Sequence, residues 1–418
     1  MNSRQRVETA LNHQQPDHVP VDFGGSAVTG ISVSSVYQLR QALKLDPPGT
    51  PVKVVEPYQM LGEVAPDLQD ALGIDVVGVG GKMNFFGFAN EDWKPWTTFD
   101  GTPVLVPGLF NTDSEVNGDI LQYPEGDHSV PASGRMPKGG FYFDAIVRQP
   151  QIDDDKLDPN DNLEEFTHVS EADLAYFKQE VDKAYATGKA VLAGFGGTSF
   201  GDIALVPATQ LKHPKGIRDI AEWYMSTVSR YEYVWSVFEK QCEIGLSNLQ
   251  KIHEVVGDKI TAVFITGTDF GTQNGPFISP RSYRKLYQPF HKMLNDWVHK
   301  NTHWKTFIHS CGSIYRLLPD IVYAGFDILN PVQTSAADMD AARLKAEFGD
   351  RVTFWGGGID TQKTLPFGSP AEIRQQVKER MELFGKDGGF VFNAIHNIQA
   401  STPQENLVSL VEAIQEYR

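Results

Sequence analysis

Eight short apolar runs recur along the 418-residue chain, each followed by a stretch of helical pattern. They are HVPVDFGG (18–25), DVVGVGG (75–81), AVLAGFGG (190–197), TAVFITG (261–267), TFIHSCG (306–312), FDILNPV (326–332), VTFWGGG (352–358) and FVFNAI (390–395). Each run is β-branched or aromatic-rich and ends at or beside Gly, Asn or Pro. Strands buried on both faces need that character, because helices cover both sides of a parallel sheet. Eight strands alternating with helices predict an α/β chain folded as a (β/α)8 TIM barrel. An open doubly wound sheet would call for a Gly-x-Gly-x-x-Gly turn after an early strand, and the sequence has none there.

The intervening segments carry helix signals. Residues 280–300 follow Ser279 and open on Pro280, a pairing suited to the first turn. Ser369 and Glu372 have capping-box spacing, and the tail after Pro403 places Leu407, Leu410, Val411 and Ile414 on one face. The pattern at 219–256 reads as one long helix with Cys242 on its apolar side, as a small buried hydrophobe. Between about 82 and 165 the rhythm fails, and Trp, Pro, Asp and Gly dominate. A bare linker of that length is improbable inside a compact domain, so the stretch is expected to be an insertion after the second strand, with its own hairpins. The whole chain, 1–418, is expected to be one such barrel domain. In GGFYFD, Tyr142 and its neighbours Phe141 and Phe143 could line a pocket or pack a core.

Composition narrows the classes of function. With 53 Asp and Glu against 37 Lys and Arg, the formal charge is −16. That balance opposes a nucleic-acid partner, whose phosphates need clustered cations. No run approaches the roughly 20 apolar residues of a membrane span. The first residues read as an amphipathic helix without the apolar core of a signal peptide, and two cysteines cannot make a disulfide framework. A cytoplasmic enzyme acting on a small molecule is the expectation, and a homodimer is compatible with it.

The sharpest constellation is His309-Ser310-Cys311-Gly312 at the end of the fifth run. Alternation along a strand sends His309 and Cys311 to one side. Imidazole and thiolate suit Zn²⁺, but two ligands do not complete a site. His396 follows the eighth run, and parallel barrel strands all deliver their ends to the same mouth. Two histidines and one cysteine with an open position describe catalytic zinc; a rim histidine bonded to a loop is the competing reading. Asp22 ends the first strand, while Asp269 and Asp360 follow the fourth and seventh runs, with Gln273 and Gln333 on the same loops. Asp22 and Asp269 are candidates for proton transfer, and Gln273, Gln333, Asp360 and Tyr142 for substrate contacts. A turn-forming role explains any single Asp equally well. The paired and tripled glycines could cradle a phosphate, but an exit from a crowded barrel top suits them better.

The chain resembles the uroporphyrinogen decarboxylase superfamily, in its zinc-dependent, corrinoid-linked methyltransferase branch. The resemblance lies in residues 4–25, 71–80 and 267–292, and most specifically in FIHSCGSIYRLLPDIVYAGFDILNPVQ (307–333), FGDRVTFWGGGIDTQKTL (348–365) and FVFNAIHNIQASTPQENLVSLVEA (390–413). It implies a barrel that moves a methyl group between a small methylated substrate and a corrinoid carried by a partner protein. The implied ligands are the His309/Cys311 pair and a third residue before the last helix, usually Cys in the branch. His396 stands there, ahead of a Thr-Pro-x-Glu-Asn-like STPQEN. Gln333 precedes Thr334-Ser335, where the more distant cobalamin-independent methionine synthase has a Glu ligand, so it is a weak fourth ligand or a supporting group. The Arg-Gln-Ala-Gly-Arg loop of the tetrapyrrole decarboxylases is absent, and Asp22-Phe23-Gly24-Gly25 closes the first run instead. A decarboxylase or lyase of a small or tetrapyrrole acid is the second expectation, and a metal-free binding protein the third.

Overall fold

The computed structural model of the chain describes residues 1–195 and 201–418. Seven of the eight runs form one parallel sheet, in chain order across it: Val76–Val79, Ala190–Ala193, Ala262–Thr266, Lys305–His309, Ile328–Asn330, Thr353–Trp355 and Phe390–Val391. The end of the third run, Gly196 and Gly197, lies outside the described residues.

The first run forms no strand, contrary to the expectation of eight. Pro20 has no N–H to give a ladder, and Gly24, at φ 97°, turns the chain away two residues after Asp22. What remains is a single parallel bridge from Val21 to Phe392. Even so, the segment bonds both edges of the sheet. The Asp22 N–H donates to Phe392 O at 2.9 Å and the Phe392 N–H to Pro20 O at 2.8 Å. On its other side the Asp75 N–H donates to Val21 O at 2.8 Å. The sheet therefore curls until its edges meet across residues 20–22, in a TIM-like arrangement.

Alternation along the strands fills the ring. Val76, Ala190, Leu192, Ala262, Phe307, Ile328, Trp355 and Val391 form one buried cluster with Val7 and Leu11 of the helix Ser3–Leu11. That helix lies where the strands begin: the Arg4 N–H donates to Gly188 O at 3.2 Å, and Arg6 pairs with Asp75 at 2.5 Å. Phe307 sits amid the cluster, its ring 5.4 Å from Phe264 and 5.6 Å from Trp355. The indole N–H of Trp355 donates to Asp22 Oδ2 at 2.9 Å, and the Gly25 N–H to Asp22 Oδ1 at 2.9 Å. Asp22 is wholly buried there, and that burial pushes its carboxyl up to about 6.

Residues 82–165 contribute two small sheets. Lys94–Thr97 and Pro103–Val106 pair antiparallel and join Val52–Glu56 and Leu61–Gly62, which the sequence reading did not resolve. Thr112–Ser114, Ile120–Gln122, Gly134–Met136 and Asp144–Ala145 form a second antiparallel sheet. Phe143 is fully buried and meets Phe86 and Phe110 edge-on at 5.5 and 5.9 Å, whereas Tyr142 is half exposed. Two long helical patterns divide. Residues 280–300 break into Pro280–Leu286 and Gln288–Asn301, where Pro289 opens a new first turn. The 219–256 pattern splits at Arg230 (φ −127°, ψ 48°) into Ile220–Ser229 and Tyr231–Val256. Cys242 is buried on the latter, and burial pushes its thiol up to about 12. No helix is long and apolar enough to cross a membrane among the described residues.

Two outcomes test this interior. Phe307→Ala is expected to cost about 3–5 kcal/mol in denaturant unfolding, through lost burial and the cavity left behind; a loss under about 1 kcal/mol would contradict its place in the ring. Asp22 ionises freely near 3.8 when unfolded and near 6 when folded, so its stabilising effect is complete below the lower value and fades as pH rises through the upper one. The two-unit gap is on the order of 3 kcal/mol. Asp22→Asn is expected to remove that slope between pH 4 and 6 in unfolding measured across pH, and an unchanged slope would assign it to another group.

Candidate metal centre

Phe307 faces the ring interior, so His309, two residues on at the strand's last position, faces the same way at the mouth. It is buried, and its Nε2 lies 3.4 Å from Cys311 Sγ. Cys311 sits just beyond the strand on a loop held backbone to backbone against its neighbour. The Gly271 N–H donates to Cys311 O at 3.2 Å and the Ser313 N–H to Thr272 O at 2.7 Å. Gly312 has φ 85°, and a Cβ there would lie 2.4 Å from the Gly271 backbone, so glycine is required for the two loops to touch. Asp269 completes the clamp, its Oδ1 accepting the Cys311 N–H at 2.7 Å.

His396 arrives from the last strand's loop, tied by the Ile395 N–H to Ile359 O at 3.0 Å. Its ring centroid lies 5.5 Å from that of His309. One donor atom each from His309, Cys311 and His396 fall within 4.8 Å of one another. The structure thus brings together the three residues singled out as ligands. A tetrahedral zinc with bonds of about 2.3 Å to sulfur and 2.05 Å to nitrogen sets those donors roughly 3.5 Å apart. The His309–Cys311 separation already matches, and His396 has a short distance to close. Burial pushes the Cys311 thiol well above its usual range, and the nearby Asp269 carboxylate pushes the same way. Burial also pushes His396 down to about 4, with His309 adding to the effect. The pocket therefore favours uncharged donors, and a bound cation would reverse the preference of the thiol.

The other predicted residues scatter around this trio. Asp269 is one-third exposed, with Oδ1 3.7 Å from His309 Nε2. Asp22 lies within the ring interior, bonded to Trp355 and Gly25 rather than to the trio. Gln333 is buried and accepts the Gly312 N–H at 2.8 Å, steadying the Cys311 loop. Asp360 accepts the Gln362 and Lys363 N–H groups at 2.7 and 3.2 Å, a turn-forming arrangement. Gln273 is exposed and donates to Gln362 Oε1 at 3.3 Å. Tyr142 has no bond to the trio among the described residues. The glycine triplet answers to packing: a Cβ on Gly358 would lie 2.3 Å from the Phe392 ring and one on Gly357 2.8 Å from Val332 O.

Three residues escaped the sequence reading. Asp202 accepts the Gly267 N–H at 3.1 Å and the Ala204 N–H at 2.9 Å, and burial with the Asp269 charge beside it pushes it up to about 7. Tyr224 donates its hydroxyl to Asp269 O and stacks on Phe277, with ring centroids 4.9 Å apart. Asn330, wholly buried at the end of the adjacent strand, meets His309 Nδ1 at 2.6 Å.

Comparison with known proteins agrees with the resemblance. Residues 221–417, which include His309, Cys311 and His396, match the uroporphyrinogen decarboxylase (URO-D) family pattern. A uroporphyrinogen decarboxylase of Psychromonas ingrahamii is 37% identical over 78 residues, covering 19% of this chain and 21% of that protein. One from Coxiella burnetii is 32% identical over 184 residues, covering 43% of this chain and 49% of that protein. The matched stretches thus span one-fifth to one-half of these relatives' lengths. A methyltransferase from Methanosarcina mazei superposes with a TM-score of 0.53 at 16% identity, covering 100% of this chain and 99% of that one, and so shares the fold. The uroporphyrinogen decarboxylase family pattern thus covers the C-terminal part of the chain, 221–417, in which His309, Cys311 and His396 all lie.

Proposed function

We propose that this protein is a zinc-dependent methyltransferase that moves a methyl group between a small methylated substrate and a corrinoid, the corrinoid being carried by a partner protein. The observation that carries the proposal is the convergence of His309, Cys311 and His396 donors within 4.8 Å at the barrel mouth. A zinc ion held by these residues would act as a Lewis acid on the heteroatom that bears or receives the methyl group. The whole-chain likeness to a methyltransferase fold supports the same reading.

The chain's own groups divide the work. His309 and Cys311 come preplaced by strand and loop, so little ordering is needed to assemble the ligands. His396 in place of a second thiolate makes the ligand set one charge less anionic, which suits polarising a methyl–oxygen bond more than activating a thiolate. Asp269 reaches solvent beside the ligands while its Oδ1 is engaged by the Cys311 N–H. It is the group to hold or hand over the proton at the departing heteroatom. Asp22, buried beneath, acts on the geometry of the interior. Gln273, Gln333, Asp360 and Tyr142 remain the proposed substrate contacts, with Gln333 the one whose bonds reach the ligand loop. A cytoplasmic location goes with this reading.

The relatives' decarboxylase names favour a second reading, removal of CO2 from a small or tetrapyrrole acid. Tetrapyrrole carboxylates would need cations in the mouth. Among the described residues no Lys or Arg bonds to His309, Cys311 or His396, and the charged group paired with His309 is the Asp269 carboxylate.

His309→Ala and Cys311→Ala are expected to lose bound zinc in elemental analysis. Methylation of added cob(I)alamin from methylated donors should fall at least 100-fold with it, as expected for a lost Lewis acid. Full methyl transfer by either metal-free variant would overturn the proposal, and CO2 release without cobalamin methylation would establish the second reading.

A further inference from the structure

The bond between Asn330 and His309 has a direction that the surrounding atoms dictate. Asn330 ends the strand Ile328–Asn330, and ladder register places it directly opposite His309. One terminus of its amide lies 2.7 Å from Trp355 O, on the next strand of the sheet. A backbone carbonyl only accepts, so that terminus is the NH2 group, donating. The opposite terminus, 2.6 Å from His309 Nδ1, is therefore the amide oxygen, which also only accepts. It follows that Nδ1 carries the proton. In the neutral ring the lone pair then belongs to Nε2, the nitrogen 3.4 Å from Cys311 Sγ.

Neutral imidazole alone would populate both tautomers, and the wrong one would turn an N–H toward the sulfur. The three groups that fix the choice sit on adjacent strands and are buried: Asn330 and Trp355 almost wholly, His309 nearly so. No water is needed to complete the relay from Trp355 O through the amide to the ring.

We infer that Asn330 is a positioning residue, which reads the Trp355 carbonyl and locks His309 in its Nδ1–H tautomer so that Nε2 is presented to the metal. The inference rests on the metal-centre reading for its purpose, but the tautomer itself is a property of the chain alone. A ligand histidine whose second nitrogen is held by an outer partner is better oriented, and loss of such partners typically weakens metal binding about 10–100-fold.

The experiment uses the full chain labelled with 15N-histidine and stripped of metal by chelator, with His309 assigned by the signal missing from His309→Gln. The expected spectrum at neutral pH shows His309 Nδ1 at the shift of a protonated ring nitrogen and Nε2 at that of an unprotonated one. The reverse pattern, or fast averaging of the two, would overturn the inference. Asn330→Leu, nearly the same shape without the oxygen, is expected to lose that signature and to bind zinc about 10–100-fold more weakly by competition with a chromophoric chelator. An Asn330→Leu protein with unchanged tautomer and affinity would refute the role. Should Asn330→Leu fail to fold, the wild-type spectrum decides alone. A wild-type chain that binds no zinc would remove the functional reading and leave the tautomer test standing.

Discussion

Curling a parallel sheet until its edges meet leaves the inward side chains no room for water, and the rest of this molecule follows from that. Phe264, Phe307 and Trp355 pack ring to ring inside, and Val7 and Leu11 press on the same cluster from the end where strands begin. An inward position at the opposite end meets the outside for the first time. His309 occupies such a position, two residues beyond Phe307. Its burial, its direction and its meeting with a residue from the last strand's loop are consequences of the closure rather than separate designs. The meeting of residues 20–22 with Phe392 on one side and Asp75 on the other is small in area, but it is what makes an open sheet into a mouth.

Burial then sorts the ionisable groups by what surrounds them. Asp22 is enclosed by the interior and holds its proton to about pH 6, while burial, with the Asp269 carboxylate adding to it, pushes Asp202 up to about 7. Asp269, one-third exposed, is open to solvent beside the ligands. Burial thus raises two of the carboxylates of this region above their ordinary range, a common physical basis for acid and base roles. The same desolvation holds Cys311 and His396 uncharged, so lone pairs rather than fixed charges converge there. Without a cation such a set gains little from being gathered.

The strands and the three ligand residues were legible because alternation and strand ends are local facts. Phe307, His309 and Cys311 announce their shared side by spacing alone, and His396 by following the last apolar run. The first run misled because Pro20 and Gly24 stop a ladder that its apolar content would otherwise support. The single helices expected at 280–300 and 219–256 failed at Pro289 and Arg230, where a continuous apolar stripe hides a backbone break. Asn330 was invisible for a different reason. In FDILNPV it reads as a strand terminator before Pro331, and its value depends on which residue the neighbouring strand puts opposite. Register is a pairwise property, and no single-strand pattern carries it. Asp202 likewise gains meaning only from Gly267 and Asp269, which lie far from it in sequence.

The three candidate ligands differ in how they are held, and the difference bears on the histidine at 396. His309 is fixed by a strand and by Asn330, and Cys311 by a loop interlocked through Gly271 and Gly312 with Asp269 on its N–H. Neither backbone can advance toward the third ligand without breaking those bonds. His396 hangs on a loop anchored at Ile395 and Asn397, the latter accepting the Gly30 N–H at 2.6 Å and donating to Gln59 Oε1 at 2.8 Å. The remaining gap must therefore be spanned by the side chain. An imidazole carries its far nitrogen well beyond the reach of a cysteine sulfur. The anchorage of the loop and the length of the imidazole side chain thus act together in bringing a third donor within 4.8 Å of the pair.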